Sequence, residues 1–181
     1  AMDVEDFVAA DLKKSAQVNF QVASVCELPF AKHTFDAIFY HHVIEHVDRP
    51  RESLVELHRV LRPGGWLFVG TPNRHRLISS IGAHQQSEWE ATFANKVGDN
   101  LRDWKHRLTG QFRNELGAHA GFSQGELDKM LSDQFPTRVW LTKEYLQFKY
   151  SNKRFSGLLP LVTNSSVCWF AAPAIYVFCQ K

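Results

Sequence analysis

Phe35-Asp36-Ala37-Ile38-Phe39-Tyr40-His41-His42-Val43-Ile44-Glu45-His46-Val47 and, further on, Arg59-Val60-Leu61-Arg62-Pro63-Gly64-Gly65-Trp66-Leu67-Phe68-Val69-Gly70-Thr71-Pro72-Asn73 decide how this chain is read. Phe35 to Tyr40 is a nearly continuous apolar run, the pattern of a parallel strand covered on both faces. From Arg51 to Leu61 the apolar positions Leu54, Leu57, Val60 and Leu61 follow helical spacing, with Pro50 at the entry and Gly64-Gly65 beyond the end. Trp66 to Val69 then reads as a second strand, stopped at Thr71-Pro72-Asn73 because proline donates nothing to a sheet ladder. Strand, helix and strand in one direction imply a right-handed crossover and an α/β sheet.

Outward from this unit, Val18-Asn19-Phe20-Gln21-Val22 alternates as a half-exposed strand does. Residues 74 to 121 hold many of the histidines together with Trp89, Phe93 and Trp104, and the spacing predicts one or two helices inserted after the sheet strand. Ser123 stands as an N-cap ahead of Leu127, Met130 and Leu131. Thr137 to Leu141 and Ala174 to Phe178 are the last two strand candidates, and the stretch from Ser151 to Asn164 reads as irregular.

The 181 residues suffice for one domain, with 74–121 as a helical insertion or lid within it. A formal charge of +2 gives no electrostatic case for nucleic acid. Cys26, Cys168 and Cys179 form no paired motif, which favours a reducing, cytoplasmic setting. The apolar run from Val167 to Cys179 is broken by Pro173 and is shorter than the roughly 20 residues that span a bilayer.

In open α/β sheets ligands sit beyond the carboxyl ends of the strands. The segments there include Ala23-Ser24-Val25-Cys26-Glu27-Leu28-Pro29-Phe30, Tyr40-His41-His42 and Gly70-Thr71-Pro72-Asn73, with Asp3 ahead of them. In order and spacing, the acidic residue, the Leu-Pro-Phe segment, the Phe-Asp strand, the Glu-His-Val turn and the Arg-Pro-Gly-Gly turn resemble the class I S-adenosylmethionine (SAM)-dependent methyltransferases of type 11. The resemblance implies a partial Rossmann-like sheet with flanking helices. It also implies methyl transfer from SAM to a small-molecule, lipid or glycan acceptor.

The same resemblance assigns roles. Asp3 would accept from the ribose hydroxyls, as a carboxylate taking two donors can. Ser24 stands where the family places an aspartate for the adenine amine, with the Val25 amide against the ring and Cys26 packed behind. Tyr40 and His41 would line the floor near the methionine half. His42 and His46 are the candidate general bases, since a neutral imidazole takes a proton near neutral pH. His42, Glu45 and His46 also fall on one helical face and offer a divalent-metal set, with loop packing as the alternative. Arg74, His75 and Arg76 would meet an anionic acceptor or form a solvated cluster.

The family's Asp/Glu-x-Gly-x-Gly turn is not in this sequence, so the chain is expected to bind SAM weakly and to leave the Phe35 strand with an open edge able to pair with another chain. A noncatalytic methyltransferase-like interaction module is the alternative. A nicotinamide-dependent oxidoreductase gives the Leu-Pro-Phe and Pro-Gly-Gly elements no role.

Overall fold

A computed structural model describes residues 2–3, 19–78, 93–116, 119–150, 157 and 159–181. Val18, Trp89 and residues 151–156 lie outside the described residues. The elements are β1 (Met2–Asp3), β2 (Gln21–Val22), β3 (Phe35–His41), a 3₁₀ turn at Ile44–His46, α1 (Pro50–Val60), β4 (Leu61–Pro72) and α2 (Phe93–Leu108). A second 3₁₀ turn at Asn114–Leu116 precedes α3 (Gln124–Leu131), β5 (Thr137–Trp140), α4 (Thr142–Tyr150), α5 (Leu159–Val162), α6 (Ser165–Ala171) and β6 (Ala174–Gln180).

β3, β4, β6 and β5 form one sheet in that order, and β1 and β2 form a separate parallel pair. β3 and β4 run parallel, with Tyr40 opposite Val69 and His41 opposite Gly70, as the crossover through α1 requires. β6 is antiparallel to both β4 and β5. β4 begins directly after α1 and takes in the Gly64-Gly65 link, so the strand is longer at its start than the apolar run suggests. It also continues through Thr71 to Pro72, which lies opposite Ala174.

α1 begins with Pro50 at its first position and buries Ser53, Leu54, Leu57 and Val60. α3 opens with a capping box in which Ser123 Oγ accepts from the Glu126 amide at 3.2 Å and Glu126 Oε2 accepts from the Ser123 amide at 2.8 Å. Leu54, Leu57 and Val60 of α1 and Leu127 and Leu131 of α3 share one core with Leu67 and Val69 of β4 and Val177 of β6. The region after Asn164, read only as an apolar run, contains a helix, and the Asn164 side chain caps it by accepting from the Ser166 amide at 2.9 Å.

β3 departs from the expectation of a strand covered on both faces. Ile38 and Tyr40 turn toward the core, while Ala37 is exposed and Phe39 is 72% exposed. β3 lies at the edge of its sheet, and no described strand pairs with its outer side. Phe39 instead stacks on Phe68 with centroids 4.6 Å apart and planes 6° from parallel, and Phe68 meets Phe178 at 5.2 Å. One face of the sheet is thus packed under helices, and the other presents an aromatic ladder.

Candidate active site

Parallel pairing of Met2 with Gln21 and of Asp3 with Val22 brings the carboxyl ends of β1 and β2 side by side, with Asp3 two residues from Ser24 in register. The Ser24 hydroxyl accepts from the Cys26 amide at 3.2 Å, closing a turn whose Glu27 amide also bonds the Ser24 carbonyl at 3.1 Å. Val25 buries its side chain in the core, which leaves its backbone as the part able to face a ligand. The Cys26 thiol lies 3.7 Å from the Arg49 carbonyl and makes a packing contact.

Tyr40 sits differently from the expected cleft-lining side chain. Strand alternation points it away from Phe39 and His41, into the core beneath α1, where its hydroxyl meets Ser53 Oγ at 3.1 Å. Burial pushes its phenol well above the ordinary range. His41 is on the other face, lying flat across Gly70. A Cβ on Gly70 would fall 2.4 Å from the imidazole Cδ2, so the imidazole occupies the space that any other residue would fill. Burial, followed by the neighbouring His42, pushes the His41 imidazole below its ordinary value.

The decisive geometry follows His41. His42 takes a left-handed backbone, φ 53°, a conformation that costs energy in a non-glycine residue. Its amide bonds the Gly70 carbonyl at 2.8 Å, tying the turn to the end of β4. The turn brings His42 Nδ1 to 3.0 Å from Glu45 Oε1, while Glu45 Oε2 accepts from Thr71 Oγ1 at 3.1 Å. Glu45 is buried and His42 is partly open to solvent. Burial alone would raise the Glu45 carboxyl, but the bonds from His42, its own backbone and Thr71 outweigh it and hold the group below its ordinary value. An ionised carboxylate only accepts, so Nδ1 is the donor in this bond and Nε2 is the ring nitrogen left for another partner. This is the arrangement of a general base held by a positioning carboxylate.

His46 turns away from this pair and meets His119 edge to face at 4.6 Å. His119, also left-handed at φ 44°, is fixed by the buried Arg76, whose guanidinium donates to the His119 carbonyl at 3.2 Å, the Ala120 carbonyl at 3.2 Å and Asp103 at 2.8 Å. Arg74 likewise donates to the Gly121 carbonyl at 2.8 Å. Arg74 and Arg76 therefore clamp the 119–121 loop rather than form a solvated cluster. The metal reading of His42, Glu45 and His46 finds no matching geometry. Glu45 spends both oxygens on His42 and Thr71, and no group of three metal-ligating side chains converges among the described residues.

Sequence reasoning grouped His42 with Glu45 and His46 as a metal set and named Arg76 as an acceptor contact, but gave no role to the Thr71 side chain or to His119, which join the site only through the fold. A separate cavity of about 590 Å³ opens beyond Asn73 and His75, lined also by Trp140, Lys143, Cys168 and Trp169. It does not contain the His42 and Glu45 pair.

Residues 2–69 match the family model described as a methyltransferase domain. Over that stretch the chain is similar to the methyltransferases of this family. Of its relatives, a ubiquinone biosynthesis O-methyltransferase of Parvibaculum lavamentivorans is 30% identical over 113 residues, covering 61% of this chain and 42% of that protein. An uncharacterized methyltransferase of Schizosaccharomyces pombe is 40% identical over 55 residues, 30% of this chain and 20% of that protein. A solved SAM-dependent methyltransferase of Thermotoga maritima, described as a possible histamine N-methyltransferase, superposes with a TM-score of 0.52 at 18% identity, over 91% of this chain and 64% of that one. That likeness establishes the fold of this chain as Rossmann-like, with a partial sheet and flanking helices. The chain spans between 20% and 42% of the length of the first curated relatives it matches. No described helix is long and apolar enough to cross a membrane.

Proposed function

We propose that this methyltransferase moves a methyl group from SAM to a hydroxyl acceptor, with His42 as general base and Glu45 as its positioning partner. The observation that carries this reading is the chain of hydrogen bonds from His42 through Glu45 to Thr71, at the carboxyl ends of two adjacent parallel strands. A base is needed when the nucleophile must lose a proton, which favours oxygen over an acceptor that is already deprotonated. The relatives named as O-methyltransferases agree with that choice.

The residues present fit the cofactor in part. Asp3 would hold the ribose, Ser24, Val25 and Cys26 would border the adenine, and His41 with the Tyr40 backbone would border the methionine half. When bound, SAM supplies an electrophilic methyl group on a sulfonium, whose carbon–sulfur bond breaks as the new bond to oxygen forms. His42 Nε2 takes the hydroxyl proton, and the Glu45 carboxylate stabilises the imidazolium that results. Alignment of the acceptor is the larger share of the task, because displacement demands an in-line approach. The His46 and His119 pair, held by Arg76, would border the acceptor opposite His42.

The adenine assignment has a direct test. A carboxylate accepts a charge-assisted bond that a hydroxyl cannot, so Ser24→Asp is expected to tighten binding of SAM or of S-adenosylhomocysteine about tenfold by calorimetric titration. Unchanged or weaker binding would remove adenine from Ser24.

A noncatalytic interaction module is the second reading, and the outer edge of β3, on which no described strand pairs, together with the exposed Phe39 favours it. Under that reading the edge pairs with another chain, and neither SAM nor its product binds.

A further inference from the structure

α2 is mounted with its polar side inward. Asp103 reaches the buried Arg76, Arg107 donates to the Arg76 carbonyl at 2.8 Å, and Asn100 and His106 are half-buried on the same side. The opposite side carries Val97, Leu101, Trp104 and Leu108, at the i, i+4, i+7 and i+11 spacing of a single apolar stripe. In a helix that packs on its own domain such a stripe is buried. Here Val97 is 43%, Leu101 65%, Trp104 43% and Leu108 85% exposed. The surface continues beyond the helix, because Trp104 Nε1 donates to the Leu77 carbonyl at 3.1 Å, and Leu77 and Ile78 are exposed as well.

We propose that this stripe docks the protein on an anionic lipid surface, with α2 lying in the plane of the interface. The charges favour lipid headgroups over another occupant. On the helical wheel Lys105, exposed, borders the stripe on one side, with Arg102 beyond it, while Arg107 on the other side turns inward to the Arg76 carbonyl. The two acidic residues of the helix lie on the far side, where Asp99 pairs with Arg102 and Asp103 with Arg76. An apolar stripe containing tryptophan, with Lys105 along its edge and the acidic residues of the helix on the far side, has the composition of an interfacial helix. Its 16 residues are too few to span a bilayer and ample to lie on one.

The inference stands apart from methyl transfer, and its test needs neither cofactor nor acceptor. The full chain is mixed with large unilamellar vesicles of phosphatidylcholine alone or with 30% phosphatidylglycerol (roughly the anionic content at which a basic, apolar surface binds well), and bound protein is measured by sedimentation. Binding to the anionic vesicles is expected, falling as salt rises. The double variant Leu101→Asp with Leu108→Asp should lose about tenfold or more of the partition coefficient, and Lys105→Glu about fivefold or more. Both positions of the double variant are exposed, so its circular dichroism should match the parent. Absence of wild-type binding to the anionic vesicles would overturn the proposal, and so would equal binding by the double variant. A concentration-dependent dimer that disappears in the double variant, without vesicle binding, would assign the stripe to a second copy and overturn it as well.

Discussion

Replacing His42 with alanine is expected to lower methyl transfer to a hydroxyl acceptor about 10²- to 10⁴-fold, the range that a positioned general base supplies. The fall should be in kcat rather than KM, because His42 acts on the proton lost in the transition state and not on cofactor affinity. Glu45→Gln should cost less than the loss of the base itself, since the amide keeps an acceptor for Nδ1 but carries no charge to stabilise the imidazolium. Thr71→Val removes the donor to Glu45 Oε2 and leaves that buried oxygen unsatisfied, so it should fall between the wild type and Glu45→Gln. Initial rates with methyl-labelled SAM and a phenol as acceptor probe give these values. Full activity in His42→Ala would show that the imidazole holds the loop and does no proton chemistry.

The second large effect is expected at Gly121. Its backbone φ is +70°, and an added Cβ would fall 1.8 Å from the Pro72 carbonyl oxygen, a backbone atom that cannot rotate aside. Several contacts converge on the same residue. Its amide donates to Asn114 Oδ1 at 2.7 Å, and its carbonyl accepts from Asn114 at 3.1 Å and from Arg74 at 2.8 Å. Gly121→Ala must therefore shift the loop bodily. It should cost about 3 kcal/mol or more in urea unfolding, combining left-handed strain with broken, partly buried hydrogen bonds. His119 lies two residues away, so the displaced loop should also carry it off His46. A loss below about 0.5 kcal/mol would mean that the Pro72 contact is easily relieved.

How much of this was legible in the sequence depends on how far each interaction reaches. The β3–α1–β4 unit could be read because apolar periodicity, Pro50 and the glycine pair act within a few residues. The capping box at Ser123 was legible for the same reason, and the side chain of Asn164 offered a like signal for α6 that the apolar run after it obscured. The exposure of Phe39 could not be read. An apolar strand records what it is suited to pack against, and which neighbours are present is a property of the sheet. The orientation of Tyr40 was available from alternation alone, since it must point opposite to Phe39. At the site, the i, i+3 relation of His42 to Glu45 is local and legible, although in the sequence it enters only as part of a metal set, and the base reading rests on the imidazoles alone. Thr71 and His119 were not found, because they reach Glu45 and His46 across the sheet and the loop that Arg76 holds.

The most direct test is to follow the backbone amides of the labelled chain by NMR while S-adenosylhomocysteine is titrated in, a method that reads even weak binding. Saturable shifts are expected at Ser24, Val25, Cys26, Tyr40, His41 and His42, along the carboxyl ends of β2 and β3, with Trp140, Lys143 and Trp169 around the separate cavity unmoved. Shifts concentrated around that cavity, or no saturable shift at millimolar ligand, would contradict a cofactor site beside the His42 and Glu45 pair.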